Sequence, residues 1–383
     1  MNRVLVAGAG PVGLTAALAL ARRGFGVTVL EAGESLAAES RASTFHPPTL
    51  EMLDDLEVAG ELLDRGLVSR TFAYRDRRAG LVARLDLSVL AGDTRFPYRL
   101  QCEQSKLTPI LMNHLLRHQG CDVLFGWPVV SVAQTPGRVA AIAGDGRALE
   151  ADWLIGADGA HSAVRRATGV SFEGMTYPER FLVASVDEEL TSFLEGLSLV
   201  NYVYDPVEWC VLLRTPDHWR VLLPTPSGTP DELEISRLGE RLLGVHDPGR
   251  PWRVAHTSMY RVHQRVASSF RSGRVLLAGD AAHVNNPLGG LGMNSGIHDA
   301  VAYAAALATG SDDAVTAAAA LRRKVAHEYV QSVSHQNYER LRTSDPVARA
   351  THLAGLRATA ADPVKARAAL LRSSMIASLR EAA

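Results

Sequence analysis

Cysteine is scarce. Only Cys102, Cys121 and Cys210 occur in 383 residues, an odd number with no CxxC pair, so neither a disulfide framework nor a zinc ligand set is indicated and a reducing cytoplasm fits best. Neither sign of charge is in surplus, since 40 Lys and Arg oppose 41 Asp and Glu for a net charge of −1. That balance leaves no basic footprint for nucleic acid. Proline and glycine, 18 and 32 residues, lack the excess that marks low-complexity or collagen-like chains, and no solenoid-type repeat is found. Long apolar runs are nearly missing too. The uncharged stretch 4–21 mimics a membrane span or a signal peptide, but Gly8, Gly10, Pro11 and Gly13 interrupt it, so no integral membrane segment is expected.

What is present reads as a globular chain, with 47% hydrophobic and 21% charged residues, long enough for two domains. Residues 4–7 (VLVA) meet Gly8-Ala9-Gly10-Pro11-Val12-Gly13, and an alanine-rich stretch follows to Arg23. The pattern is strand, glycine turn, helix. Gly8 permits the turn, Gly10 lets backbone approach a pyrophosphate, and Gly13 lets helix and strand pack closely, so the helix N-terminus faces the phosphates. A second strand, 27–30, ends at Glu31, where a carboxylate accepts hydrogen bonds from a ribose. These features indicate a dinucleotide without choosing between nicotinamide and flavin.

Two distant segments make that choice. Residues 153–166 read WLIGADGAHSAVRR, and 279–299 read GDAAHVNNPLGGLGMNSGIHD after a short strand at 275–278. Together with the N-terminal turn, they resemble the flavin aromatic hydroxylases, single-component FAD-dependent monooxygenases related to para-hydroxybenzoate hydroxylase. The resemblance implies an α/β fold with a discontinuous Rossmann-like FAD-binding domain, an inserted β-sheet substrate domain and C-terminal helices. It further implies that Gly8, Gly10, Gly13 and Glu31 form the adenosine-binding turn, that Arg41 reaches the pyrophosphate, and that Gln101 lies near the ribityl chain. Asp158 and Gly159 match the second motif, close to bound nucleotide, and Asp280 the aspartate that accepts a ribityl hydroxyl. Pro287, Gly290, Gly292, Met293 and Asn294 fall where the family's loop passes the isoalloxazine edge. The implied reaction uses NADH or NADPH as a transient reductant and O2, with a flavin C4a-hydroperoxide transferring one oxygen to a phenolic or hydroxylated heteroaromatic ring.

The physics of the last loop stands without the family, because amides at a helix N-terminus stabilise the negative charge of a reduced flavin. Other residues carry two readings each. His46 follows Arg41 on a loop within reach of the flavin and is either structural or a substrate contact. Tyr202 and Tyr204 alternate onto one strand face, where core packing competes with a role in positioning or ionising the substrate. His283, in the GDxxH pattern, is read as holding its loop. His114 and His118 lack the glutamate of HExxH and are read as a solvated helix face; Arg322-Arg323-Lys324 is read as a basic cluster at a helix end. No arginine suited to anchoring a carboxylate is evident in the pocket, since Arg214 sits at a strand end, which favours a neutral or bulky aromatic.

The motif order places residues 1–70, 100–180 and 270–310 in the FAD domain, and 71–99 with 181–269 in a sheet roofing the flavin. Segments 199–204, 209–213 and 219–223 are strand-like, and 224–230 (PTPSGTP) is a loop by composition. Helical periodicity runs over 314–342 and 346–380, either bracing the FAD domain or building a homodimer contact. Two rivals are a flavin-dependent halogenase, whose WxWxIP motif is not matched by Trp209 and Trp219, and a non-catalytic FAD-binding protein, which has no need of the open flavin-edge glycines.

Overall fold

The computed structural model describes residues 2–38 and 42–380. Its nucleotide layer is a six-stranded sheet in the order Arg271–Ser272, Val275–Leu277, Trp153–Gly156, Arg3–Ala7, Gly26–Leu30, Cys121–Leu124. Every pairing is parallel except that of the edge strand Arg271–Ser272. Such strands read as short continuous apolar runs because both faces are covered, and Val4 to Ala7 are all buried. The helix Pro11–Ala21 is buried from Gly13 to Ala21 and packs on the helices Gln104–Leu115 and Gly292–Ala308. It is apolar all round because it lies inside the protein. Among the described residues no helix is long and apolar enough to cross a membrane.

The roof is an eight-stranded sheet, ordered His283–Val284, Val254–Ala267, Phe172–Val186, Trp219–Pro226, Cys210–Arg214, Val200–Tyr204, Thr71–Asp76, Gly80–Asp86. It is antiparallel apart from the pairing of Val200–Tyr204 with Thr71–Asp76. One face packs on Leu238, Leu242 and Trp252, while the other presents Phe72, Tyr202 and Tyr204 to the C-terminal helices. The strand Phe172–Val186 crosses residue 180, where the substrate segment was expected to begin, because its first residues already pair with Val254–Ala267. The strand Trp219–Pro226 also runs into the presumed loop at 224–230; its pairing with Phe172–Val186 extends to Pro226, and the composition signal marks only the turn beyond it.

A third, three-stranded sheet sets Arg99–Gln101 between Thr44–Phe45 and Leu67–Ser69. The expected helix at 314–342 is continuous but contains a π-helical turn, Ala326–Gln331, between Asp312–Val325 and Ser332–Arg342. Within that turn Gln331 donates from Nε2 to the Val284 carbonyl, 2.8 Å away. The stretch 346–380 is broken at Asp362, whose side chain caps the helix Pro363–Ser373 through the amides of Val364 and Lys365. Leu353, Leu370 and Ile376 from these helices pack with Phe72 and Tyr202; the last helices therefore brace the roof.

Candidate active site

The first part of the site is the turn after Arg3–Ala7. Gly8 has φ +102°, and a Cβ there would stand 2.5 Å from the Ala157 carbonyl oxygen. A Cβ on Gly13 would fall 2.0 Å from the Gly8 oxygen, so both positions require glycine. Gly10, by contrast, has nothing within 4 Å of its missing Cβ and caps the helix Pro11–Ala21. Glu31 closes the turn by accepting the Ala9 amide at 2.7 Å and the Gly33 amide at 2.9 Å. Arg41 lies outside the described residues.

The second and third motifs are tied together. Asp158 accepts the Ser162 hydroxyl at 2.5 Å and the Val164 amide at 3.1 Å, so its carboxylate organises its own turn, and Gly159 beside it presents open backbone at φ +79°. Arg165 then donates to the Ala281 carbonyl at 2.8 Å. Asp280 is exposed on the short turn Gly279–Ala281. Below that turn lies a fully buried network. Asp299 accepts from the Gly279 amide, from His283 Nε2 at 3.0 Å and from Arg322 Nε at 2.6 Å. Arg322 is 3% exposed, which corrects its reading as part of a basic helix-end cluster: a buried guanidinium is tolerated because a buried carboxylate and Ser295 meet it. No local pattern marks this, since burial on a helix is decided by what packs against it.

The glycine loop is held from the other side by Asn294. Its Oδ1 accepts the His46 amide at 2.9 Å, and its Nδ2 donates to the carbonyls of Thr44 and Gly290 at 2.8 and 2.7 Å. His46 is fully buried, with Nε2 2.8 Å from the Gly289 carbonyl. Burial and the charge of Arg99 hold its pKa well below the usual value, so the ring is neutral and Nε2–H is the donor. Pro287 shapes the loop by accepting the Gly290 amide at 3.0 Å. Gly290 has φ +68°, and a Cβ there would lie 3.1 Å from Thr44 Cβ. Thr44 donates to Gln101 Oε1 at 2.8 Å, leaving the buried Nε2 of Gln101 without a partner. Gly292 and Met293 open the helix Gly292–Ala308.

Between this loop and the roof is a cavity lined by Phe72, Tyr74, Tyr202, Tyr204, Arg99 and Gly289, closed by Leu291, Arg340 and His352 among others. Tyr202 and Tyr204 thus stand on its wall. The Tyr74 ring stacks on Tyr202 with centroids 5.6 Å apart and lies 6.3 Å from Tyr204. Tyr204 Oη is 2.9 Å from Nε2 of His352. Desolvation pushes the Tyr74 hydroxyl up to about 12 and those of Tyr202 and Tyr204 upward as well, while burial and Arg340 lower His352. Arg99 is 2% exposed on this wall, an arginine that the roof strands alone did not suggest. Arg99 enters from the small sheet, on the same strand face as Gln101. His352, on the helix Pro346–Ala361, also escaped; no motif links it to Tyr204, 148 positions away.

His114 pairs with Glu61 at 2.7 Å rather than facing solvent freely, and among the described residues no group of His, Cys, Asp and Glu is arranged to hold a metal.

These residues fit FAD. Gly10 and Gly159 offer bare backbone with free space beyond it, the buried Gln101 amide lacks an acceptor, and the glycine loop leads directly into a helix N-terminus. A family model for an FAD binding domain matches residues 1–333. Para-nitrophenol 4-monooxygenase of Pseudomonas sp. (strain WBC-3) is 36% identical over 363 residues, 91% of this chain and 89% of that protein. 6-hydroxy-3-succinoylpyridine 3-monooxygenase HspB of Pseudomonas putida is 38% identical over 315 residues, 80% and 79% of the two chains. The crystal structure of p-nitrophenol 4-monooxygenase PnpA from Pseudomonas putida DLL-E4 superposes with a TM-score of 0.91 at 33% identity, covering 97% of this chain and 98% of that one.

Proposed function

Since the chain belongs to the FAD binding domain family and is an FAD-dependent aromatic monooxygenase, we propose that it hydroxylates a phenol or hydroxylated heteroaromatic ring, with NADH or NADPH as reductant. The relatives named for a nitrophenol and a hydroxypyridine support a hydroxylated ring as substrate. Bound FAD supplies the electron and oxygen transfer. Gly8, Gly10, Val12, Gly13 and Glu31 would hold its adenosine diphosphate end, with Gln101 and Asp280 toward the ribityl chain. Asp158 and Gly159 lie on the adjoining turn. Pro287, Gly290, Gly292, Met293 and Asn294 would shape the edge against its ring system.

The observation that carries the reading is the Tyr204–His352 pair on the wall of an aromatic cavity that borders Gly289. A ring hydroxyl must lose its proton for the ring to become a strong nucleophile. Tyr204 stays protonated because its pKa is raised, and so acts as a relay: its hydroxyl takes the substrate proton as it gives its own to Nε2 of His352. His352 is neutral near pH 7 because its pKa is lowered, and it is half-buried, so the proton has a way out. Tyr74 and Tyr202 position the ring and exclude water. His46 acts through the loop by gripping Gly289.

The test follows NAD(P)H oxidation, hydroxylated product and hydrogen peroxide across a panel of phenols and hydroxypyridines. Tyr204→Phe keeps the ring and removes the relay, and should lower hydroxylation by roughly a hundredfold while reduction continues and peroxide rises. His352→Gln should do the same, with a changed pH profile. Unaltered product-to-peroxide ratios in both variants would refute the relay.

A further inference from the structure

The loop between the strand His283–Val284 and Gly289 is tied to the roof by one buried hydroxyl. The pairing of Phe172–Val186 with Val254–Ala267 jumps from Thr176 opposite His263 to Arg180 opposite Arg261, so Tyr177, Pro178 and Glu179 together face Val262. Such a bulge re-aims a side chain, and Tyr177 turns inward to 3% exposure while Thr176 stays exposed. Its hydroxyl meets Gln264, Asn286 Nδ2 at 3.0 Å and His335 Nδ1 at 3.0 Å. The direction of each bond is fixed. Asn286 Oδ1 accepts the Leu288 amide at 3.1 Å, so its Nδ2 donates to Tyr177. Gln264 Nε2 donates to the Gln331 carbonyl at 3.3 Å, so its Oε1 accepts the Tyr177 proton. With that one proton spent, Nδ1–H of His335 must donate, and the hydroxyl reaches its full complement of one bond given and two received. Burial raises the pKa of Tyr177, so the donor is kept at neutral pH.

We propose that Tyr177 is a positioning residue for the flavin-edge loop: by holding Asn286 it sets where the backbone of residues 287–290 runs, and so how the amides leading into the helix Gly292–Ala308 meet reduced FAD. Three parts of the molecule meet at its one oxygen. Gln264 belongs to the roof, His335 to the helix Ser332–Arg342, and Asn286, 0% exposed, to the loop itself. Gln331 and Asn337 hold the Val284 and Leu288 carbonyls at 2.8 and 3.2 Å, so the loop hangs along its length on side chains from outside the nucleotide layer. Removing the Tyr177 oxygen orphans two donors, the buried Asn286 amide and His335 Nδ1, and an unpaired donor in the interior is costly enough to shift the chain that carries it. Amides at a helix N-terminus favour a negative charge, and a loop that drifts withdraws that help from the reduced cofactor. The inference is independent of the substrate and of the Tyr204 relay.

The experiment measures the reduction potential of bound FAD, without substrate, by equilibration with reference dyes, for the parent, Tyr177→Phe, Asn286→Ala, the double variant and Tyr338→Phe, with thermal unfolding of each. Tyr338→Phe is the control, because its ring lies 4.5 Å from that of Tyr177 but its hydroxyl bonds Glu179 rather than the loop. At a fixed applied potential, Tyr177→Phe should lower the ratio of reduced to oxidised FAD by roughly three- to thirtyfold, the span expected when helix-terminus stabilisation of a charge is lost. Asn286→Ala should do the same, and the double variant should go no further because the two changes cut one link. Tyr338→Phe should leave the ratio unchanged while its unfolding temperature falls. A ratio in Tyr177→Phe within about twofold of the parent's overturns the proposal, as does an equal fall in Tyr338→Phe, which would reduce the effect to general loosening. Should Tyr177→Phe fail to fold, an unchanged ratio in Asn286→Ala overturns it alone.

Discussion

Two arginines and two histidines show how this interior treats charge. Arg322 is neutralised by Asp299, whereas Arg99 meets only the Ser373 carbonyl and the face of the Phe72 ring. Both His46 and His298 are buried in the neutral form; burial brings His298 down to about 3, with Nε2 held 3.0 Å from Thr49 Oγ1. In the unfolded chain a histidine titrates near 6.5, so just below that pH the unfolded state binds protons that the folded state refuses. Stability contributed by His298 is complete above 6.5 and is lost as the pH falls from 6.5 toward about 3. Replacing His298→Gln should flatten the acid side of the stability profile by about 1.4 kcal/mol per pH unit, measured as urea unfolding free energy against pH. An identical slope in both proteins would contradict the buried neutral form. The sequence showed which residue types could serve the site but not their ionic state. Gln101 and Asn294 sit in recognisable motifs; Arg99, His298 and Arg322 acquire their roles from neighbours more than 20 positions away, and only packing reveals them.

Among the elements, the crossing of the helices Pro11–Ala21 and Gly292–Ala308 is a tight constraint on the site. A Cβ on Gly296 would lie 2.6 Å from Val12 Cγ2 and 2.8 Å from the Gly279 Cα. Gly296→Ala must therefore push the nucleotide turn away from the Gly279 turn, at a cost of about 1–3 kcal/mol, with weaker FAD retention. Gly355, exposed inside the helix Pro346–Ala361 with nothing within 4 Å of its missing Cβ, should respond in the opposite direction. Gly355→Ala should stabilise by about 0.5–1 kcal/mol through helix propensity alone. Thermal unfolding of the two variants checks the contrast, and equal shifts would argue against the close crossing. The glycine turn, its strand and its helix were legible because local spacing specifies them. The π-helical turn at Ala326–Gln331 was not, because no local spacing marks it; its Gln331 bonds Val284, 47 positions away.

At the scale of the whole molecule, the nucleotide layer and the roof share backbone. The strands Phe172–Val186 and Val254–Ala267 are 15 and 14 residues long, and Val284, just past the Gly279–Ala281 turn, pairs with Arg265 at the roof edge. Loss of flavin fluorescence quenching and loss of far-UV circular dichroism should therefore coincide on heating the FAD-loaded protein, as one cooperative transition. A roof that melts separately would show that the shared strands do not couple the layers. The sequence disclosed that the FAD segments are discontinuous, but not that the roof's two longest strands end against the core of the nucleotide layer, through Phe172, Val266 and Ala267. This interleaving also bears on synthesis. The strand Val275–Leu277 docks beside Trp153–Gly156, so the nucleotide sheet stays incomplete on the ribosome until all of the roof except its edge strand His283–Val284 has been translated, seconds to about a minute after the first glycine turn emerges. The nascent chain must carry its half-built sheet through that interval, and the cofactor meets its finished cradle only when the covering sheet already exists.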